Sequence, residues 1–427
     1  MKPRILLVNP PIHDFTAYDF WLKPYGLLRV AGHLRSCADL HLFDYLDRLH
    51  PQMGGQLRAD SFGRGAFRSE DIATPAPLAQ LNRQYRRHGL PRQLFQDLLA
   101  SVPPFDVALV QTVMTYWYPG VREVIEDLRT LAPQTKIVLG GVYATVCPQH
   151  ARQLGADLVV EGLDLNPLWN FLELSPEREP LPLWEAYPRL ETGVIKLTEG
   201  CPFRCTYCSV PQIYPHFSGH LERALAEFDY LHQLGAQRVA FYDDALLFKQ
   251  KQLFFPFLEE VIQRQTKMEL HTPNALNARF ITPEVAQYMM RAGFKTFYLG
   301  FESNAYEWQK KTGGKVYSAE LTDAVENLKA AGADPAHITA YLIVSHPHGE
   351  QQDVEASMHF AHSLGIRLML SEFSPIPGTP DGEACRRWVD LDEPLWHNKT
   401  AFPYIFLGEA KIRRLKTLCQ ELNNALS

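Results

Sequence analysis

From residue 193 to residue 385 the sequence repeats one pattern six times: a short β-branched or aromatic run, then an amphipathic stretch. The runs are "VIKLT", "RVAFYDD", "MELHTP", "TFYLGFES", "ITAYLIVS" and "LMLSEFSP". Helices between them end at Gly235, Gly293, Gly332 and Gly365, where a left-handed residue stops a helix at least steric cost. "ITPEVAQYMMRAG" carries the whole signal, with Thr282 as N-cap, Pro283 in the first turn and Gly293 as the stop. Six consecutive βα units predict a parallel, partial (β/α)6 barrel, with its chemistry at the carboxyl ends of the strands.

An earlier α/β series occupies residues 1–173. "RILLVNPP", "DLHLFDYL", "DVALVQTV", "KIVLGGVY" and "DLVVEG" read as strands, and "GLLRVAGHLRS" and "VREVIEDLRTLA" as helices. Buried runs alternating with helices imply a doubly wound parallel sheet, Rossmann-like in plan. Residues 48–104, rich in Gly, Pro, Arg and Gln, read as an insertion in it. Residues 174–192 are proline-rich and aperiodic, a linker. Residues 386–427 form a helical extension ending in the amphipathic "EAKIRRLKTLCQELNNAL".

Net charge is −6, so no global field favours a polyanion, and Arg83, Arg86 and Arg87 read as a solvated helix face rather than a nucleic-acid site. No run approaches the ~20 apolar residues of a membrane span, and the N-terminus lacks a signal-peptide pattern. Seven cysteines, an odd number with only three clustered, fit a reducing compartment, hence a cytoplasmic protein.

The cluster is "EGCPFRCTYC": Cys201, Cys205 and Cys208, directly after the first barrel strand. Closely spaced thiolates hold metals. A structural zinc site needs a fourth ligand, for which His216 or His220 is available, but such sites usually arrive as two separated ligand pairs. The other reading is a [4Fe-4S] cluster held by three thiolates with one iron left open, as a catalytic site keeps a position free.

The CxxxCxxC spacing, with Tyr207 before the last cysteine, resembles the radical S-adenosylmethionine (SAM) superfamily. The resemblance implies that SAM completes the cluster through its amino and carboxylate groups and is cleaved by one electron to a 5′-deoxyadenosyl radical. It extends along the barrel. Asp243 and Asp244 of "FYDD" fall where the superfamily's second strand meets the SAM amino end, and Glu302 and Ser303 of "GFES" fall on its fourth-strand motif. "TPNALNAR" resembles a third-strand "NGL-R" segment, with Ala275 for the glycine and Asn277 for the arginine, leaving Asn274 and Arg279 as SAM candidates beside Tyr207 of the cysteine loop. "YLIVSHPHGE" places Ser345 and His346 in the usual glycine region, making His346 and His348 candidates for substrate groups. "FSPIPGTP" resembles the closing strand, in a loop-shaping role.

"GGVYATVCPQHA" and "ADLVVEG" resemble the cobalamin-binding domain that precedes this barrel in a large subfamily, many of whose members are methyltransferases. The candidate corrin contacts are Thr112, Tyr116, Gly140, Gly141, Tyr143, Thr145, Glu161 and Gly162. The D-x-H-x-x-G cobalt-ligand motif is absent, "DRLHPQMG" having other spacing. A methylthiotransferase reading lacks cysteines for a second cluster, and Cys385 reads as a packed thiol.

The implied function is a cobalamin-dependent radical SAM methyltransferase acting on an unactivated carbon. Its cofactors would be a [4Fe-4S] cluster, SAM and cobalamin, its substrate a small or lipid-like molecule, and its reductant an external flavodoxin or ferredoxin. One alternative is a radical SAM enzyme performing rearrangement, cyclisation or oxidation, its first domain without cobalamin. The other is a non-catalytic iron–sulfur scaffold or electron carrier.

Overall fold

The computed structural model describes residues 2–53 and 57–426. Two compact units emerge. The first is residues 1–193 with short pieces at 233–235 and 392–396, and the second is residues 194–232, 236–391 and 397–427.

The first unit is built on a five-stranded parallel sheet. Its strands are β1 (Arg4–Asn9), β2 (Asp39–Asp44), β3 (Val107–Thr112), β4 (Lys136–Gly141) and β5 (Leu158–Val160), in the order β5-β4-β3-β1-β2. The order reverses between β1 and β3, which creates a crevice outside their carboxyl ends where doubly wound sheets take ligands. Buried Leu6, Val8, Ala108, Val110, Ile137 and Leu139 supply the apolar face of the sheet. Helices Tyr25–Leu34, Arg92–Ser101 and Tyr118–Leu131 accompany it.

Of the stretch 48–104 read as an insertion, residues 54–56 lie outside the described residues. The rest departs from that reading at its end. Arg92–Ser101 is a helix whose Phe95 and Leu99 enter the sheet's own core, so the βαβ rhythm resumes about a dozen residues earlier than expected. The basic residues nearby are also not on a helix. Tyr85–His88 is a strand between Ile12–Asp14 and Ser69–Ile72, and Arg87 is buried in a double hydrogen bond to Glu123. Residues 174–192 carry buried Leu183, Trp184 and Tyr187, and the Tyr187 hydroxyl donates to Asp44 at 2.5 Å.

The second unit holds six parallel strands in sequential order: β6 (Thr192–Ile195), β7 (Arg238–Phe241), β8 (Glu269–Leu276), β9 (Phe294–Glu302), β10 (Ile338–Val344) and β11 (Arg367–Glu372). Sequential order with crossover helices is the barrel plan, left open because β6 and β11 do not pair. The helix punctuation is as expected. Thr282 caps Pro283–Ala292 by accepting from Val285 N–H at 3.2 Å, and Gly293 ends it at φ 96°. Gly235, Gly332 and Gly365 likewise have positive φ. Glu409–Asn424 packs on β11, where Asn423 exchanges hydrogen bonds with Leu368.

Candidate functional site

The three cysteines lie in a loop at the carboxyl end of β6, each half-buried. Their side chains line one cavity, together with Tyr207, Asp244, Asn277, Phe280 and Lys315. Burial pushes all three thiols up, Cys208 to about 11, while Lys315 pulls the other way. Thiols in that condition need a nearby positive charge to act as ligands, which a metal supplies on binding. Neither histidine considered as a zinc ligand lines this cavity: His216 is exposed, and His220 bonds Ser218 at 2.9 Å. Among the described residues no three His, Cys, Asp or Glu side chains close on a single ion. A set of three soft donors spread along one cavity wall suits a polynuclear cluster and leaves one position open.

Lys315 carries no motif that marks it in the sequence. It follows Thr312-Gly313-Gly314, and this segment lies directly against the cysteine loop. Gly313 has φ 120°, and a Cβ there would stand 3.1 Å from Cys205 Cα. The Lys315 ammonium sits 3.6 Å from Glu302. Burial opposes charge on both. Attraction to Glu302 and the three thiols outweighs it for Lys315, whose pKa stays raised. Glu302 is also raised, because burial exceeds the help from Lys315. Glu302 adopts φ 70° at a register shift in β9, an uncommon backbone for a residue with a side chain and one that occurs at ligand sites.

Across the cavity, Asp244 accepts from Gly200 N–H at 3.1 Å and lies 3.4 Å from the buried ammonium of Lys196. Asp243 is buried. Its Oδ1 accepts from the Thr198 N–H and hydroxyl at 2.5 and 2.8 Å, but its Oδ2 has no partner. Burial, offset in part by those bonds and by Lys196, pushes Asp243 up to about 7. Asn277 repeats the pattern. Its Oδ1 caps Arg279 N–H while its Nδ2, on a nine-tenths buried side chain lining the cavity, bonds nothing. A buried donor without a partner costs about 1–3 kcal/mol, which a ligand group would recover.

The remaining candidates divide. Arg279 is exposed, held by Glu320 and the Gly314 carbonyl, both at 2.7 Å, and does not line the cavity. Asn274 is exposed and donates to the Asp243 carbonyl at 3.1 Å. Ser303 is buried, its hydroxyl accepting from Ala305 N–H at 3.1 Å. Tyr207 stacks on Trp308. His346 is buried with both nitrogens bonded and so is closed to substrate, whereas His348 is exposed. Cys385 is buried, with its thiol pushed up to about 12 by burial, as a packed thiol would be.

In the first unit, Gly141, Glu161 and Gly162 are exposed at the carboxyl edge, with Gly140 and Thr145 half-buried. Thr112, Tyr116 and Tyr143 are core residues. Thr112 bonds the Gly140 carbonyl and Ala144 N–H at 3.0 and 3.1 Å, and Thr145 bonds the Gly141 carbonyl and Gly162 N–H at 2.8 and 2.9 Å. Both hydroxyls therefore shape the loops. At the switch point between β1 and β3 lies a small, shallow crevice lined by Asn9, Pro11, Lys23, Gln111, Met114 and Trp117. This edge offers a glycine backbone, exposed Met114 and Leu163, and a crevice at the reversal, the place where doubly wound sheets take ligands.

Residues 195–361 match the Radical SAM superfamily. An uncharacterized methyltransferase of Pyrococcus horikoshii is 26% identical over 211 residues, 47% of this chain and 45% of that protein. The bacteriochlorophyllide d C-12(1)-methyltransferase of Chlorobaculum tepidum is 24% identical over 222 residues, 50% of this chain and 46% of that protein. The chain thus spans less than half the length of these curated relatives. Among solved structures, the radical SAM methyltransferase TsrM of Kitasatospora setae, bound to tryptophan and a SAM analogue, superposes with TM-score 0.66 at 15% identity. That match covers 90% of this chain and 76% of TsrM. The cobalamin-dependent radical SAM enzyme OxsB, with aqua-cobalamin and SAM, gives 0.58 at 13% identity, over 98% of this chain and 61% of OxsB. Both show a common fold over both units. Among the described residues no helix is long and apolar enough to cross a membrane.

Proposed function

Since residues 195–361 belong to the radical SAM superfamily and the whole chain has the fold of its cobalamin-dependent enzymes, we propose that this protein is a cobalamin-dependent radical SAM methyltransferase. Its substrate is a small molecule with an unactivated carbon, in keeping with the tryptophan bound by TsrM, and an external flavodoxin or ferredoxin type of carrier supplies electrons. The observation that carries the reading is a set of three thiols, and among the described residues no fourth, on one cavity whose wall also carries the unsatisfied Nδ2 of Asn277.

Cys201, Cys205 and Cys208 would hold the cluster. Lys315 and the free Nδ2 of Asn277 are positioned for a carboxylate, in place of the arginine that the third-strand segment lacks. Asp244 and Asp243 offer carboxylates to an ammonium, and Asp243 at about 7 is poised to ionise when a cation arrives. Glu302 keeps Lys315 charged and aimed. In the first unit, Gly140, Gly141 and Gly162 let backbone approach a corrin, and Met114 and Trp117 offer apolar surface beside the crevice. When bound, the reduced cluster and SAM supply a carbon-centred radical generator and cobalamin a methyl carrier; the chain contributes orientation and a water-poor cavity.

The non-methylating alternative has one observation in its favour: Tyr116 and Tyr143 are buried, and the hydroxyls of Thr112 and Thr145 are already bonded. Anaerobically reconstituted protein given dithionite and SAM decides whether the cavity does radical SAM chemistry. The proposal expects 5′-deoxyadenosine, with Cys205→Ala abolishing it. Equal product from wild type and variant would remove the cysteine loop from the chemistry.

A further inference from the structure

Thr206, between Cys205 and Cys208, is tied down at all three of its polar groups, each time by a residue outside the loop. Its N–H donates to the Thr312 carbonyl at 3.3 Å, its carbonyl accepts from Asp381 N–H at 3.2 Å, and its hydroxyl donates to Asp381 Oδ2. That same oxygen faces His346 Nε2 at 2.9 Å. The histidine's roles are fixed from its other side. Nδ1 accepts from the Trp308 indole N–H at 3.1 Å and from His348 N–H at 3.2 Å, which leaves Nε2 to carry the proton and donate to Asp381. Trp308 in turn carries Tyr207, with ring planes 17° apart, and the edge of His346 meets both rings. Asp381 and His346 are 4% and 2% exposed. Burial works against the carboxylate, but the bonds from His346 and Thr206 together hold Asp381 below the usual range. The turn after β10, through His346, and the short helix Pro380–Glu383 that follows β11, through Asp381, thus converge on the middle of the cysteine loop.

We propose that Asp381 and His346 are positioning residues that hold the cysteine loop in its cluster-binding shape before any cluster is present. The proposal rests on the radical SAM reading of the loop and adds a reason for Ser345-His346 to stand where glycine is usual.

Both side-chain bonds fall on a single carboxylate oxygen, which provides a discriminating pair of variants. Asp381→Asn keeps an oxygen in that place and loses the charge, whereas Asp381→Ala loses the bonds. Full-length protein is compared in two states. Without cluster, amide hydrogen exchange is followed across residues 202–209. With cluster, iron release to a chelator and the electron paramagnetic resonance line shape of the reduced centre are recorded. Asp381→Ala should exchange and release iron about tenfold faster and broaden the resonance, as expected when two hydrogen bonds that fix the loop are lost. His346→Ala should do the same, the double variant should be no worse than either single change, and Asp381→Asn should stay within about twofold of wild type. Unchanged exchange and release in Asp381→Ala would overturn the proposal. Failure of the asparagine rescue would overturn it as well, assigning the effect to charge. Wild type that takes up no iron would instead overturn the radical SAM reading, and the exchange measurement would still decide whether the pair holds the loop.

Discussion

Lys315 carries the most residue-scale consequence, because it faces Glu302 and all three thiols while Arg279, the cation the motif suggests, is engaged elsewhere. Lys315→Ala should weaken SAM binding to the cluster-loaded protein by about 10- to 30-fold, the worth of one charge-assisted hydrogen bond, and Arg279→Ala by less than about twofold. Equilibrium dialysis with labelled SAM measures both; the reverse ranking would return the carboxylate to Arg279. Asp243 predicts a pH effect without any ligand. Its carboxyl titrates at about 7 in the folded chain against an ordinary 3.8, so between those values the folded state keeps a proton the unfolded state has lost. Stability from this group is therefore full below pH ~4 and is lost as pH rises to ~7, by about 2–4 kcal/mol. Thermal unfolding of wild type against Asp243→Asn should show the wild type losing ground across that interval and holding a constant deficit above it. A difference that does not vary with pH would mean that Asp243 is ionised throughout.

At the scale of elements, the parts legible in the sequence were those set by local physics. Thr282, Pro283 and Gly293 marked the ends of one barrel helix because capping and positive φ depend only on neighbouring residues. Alternating runs located the eleven strands of the two parallel sheets, since buried parallel strands cannot hide their apolar character, but not the short strands of the smaller antiparallel sheets such as Tyr85–His88. What was not legible depended on contacts between distant segments. Lys315, a lysine in a Gly-Gly turn, looks solvent-exposed until the fold sets Gly313 against Cys205, and Asp381 has no visible partner until the segments that follow β10 and β11 meet. Arg92–Ser101 was missed because its surroundings, rich in Gly, Pro and Arg, outweighed a short apolar spacing. Gly141 at the end of β4 allows a test at this scale. It has φ 111°, and a Cβ there would lie 2.2 Å from the Thr112 carbonyl oxygen. Gly141→Ala should cost about 2–3 kcal/mol in urea unfolding and reduce corrinoid binding by more than about tenfold. A variant as stable as wild type would show that the β3–β4 edge can yield.

Over the whole molecule, two α/β units each present a carboxyl edge, one with a crevice at a strand-order reversal and one with three thiols on a shared cavity. A cluster carrier would complete its ligand set with a fourth side chain. Here the cavity wall instead continues into Lys315, Asn277 and Asp244, groups suited to a small zwitterion. The account therefore joins two metals to one chain: iron at the cysteine loop and cobalt at the first unit. Metal analysis of full-length protein, purified anaerobically and incubated with hydroxocobalamin, tests that union most directly. The account predicts about four irons and about one cobalt per chain, with the iron lost in Cys205→Ala and the cobalt retained. Four irons with no cobalt would contradict methyl transfer through cobalamin.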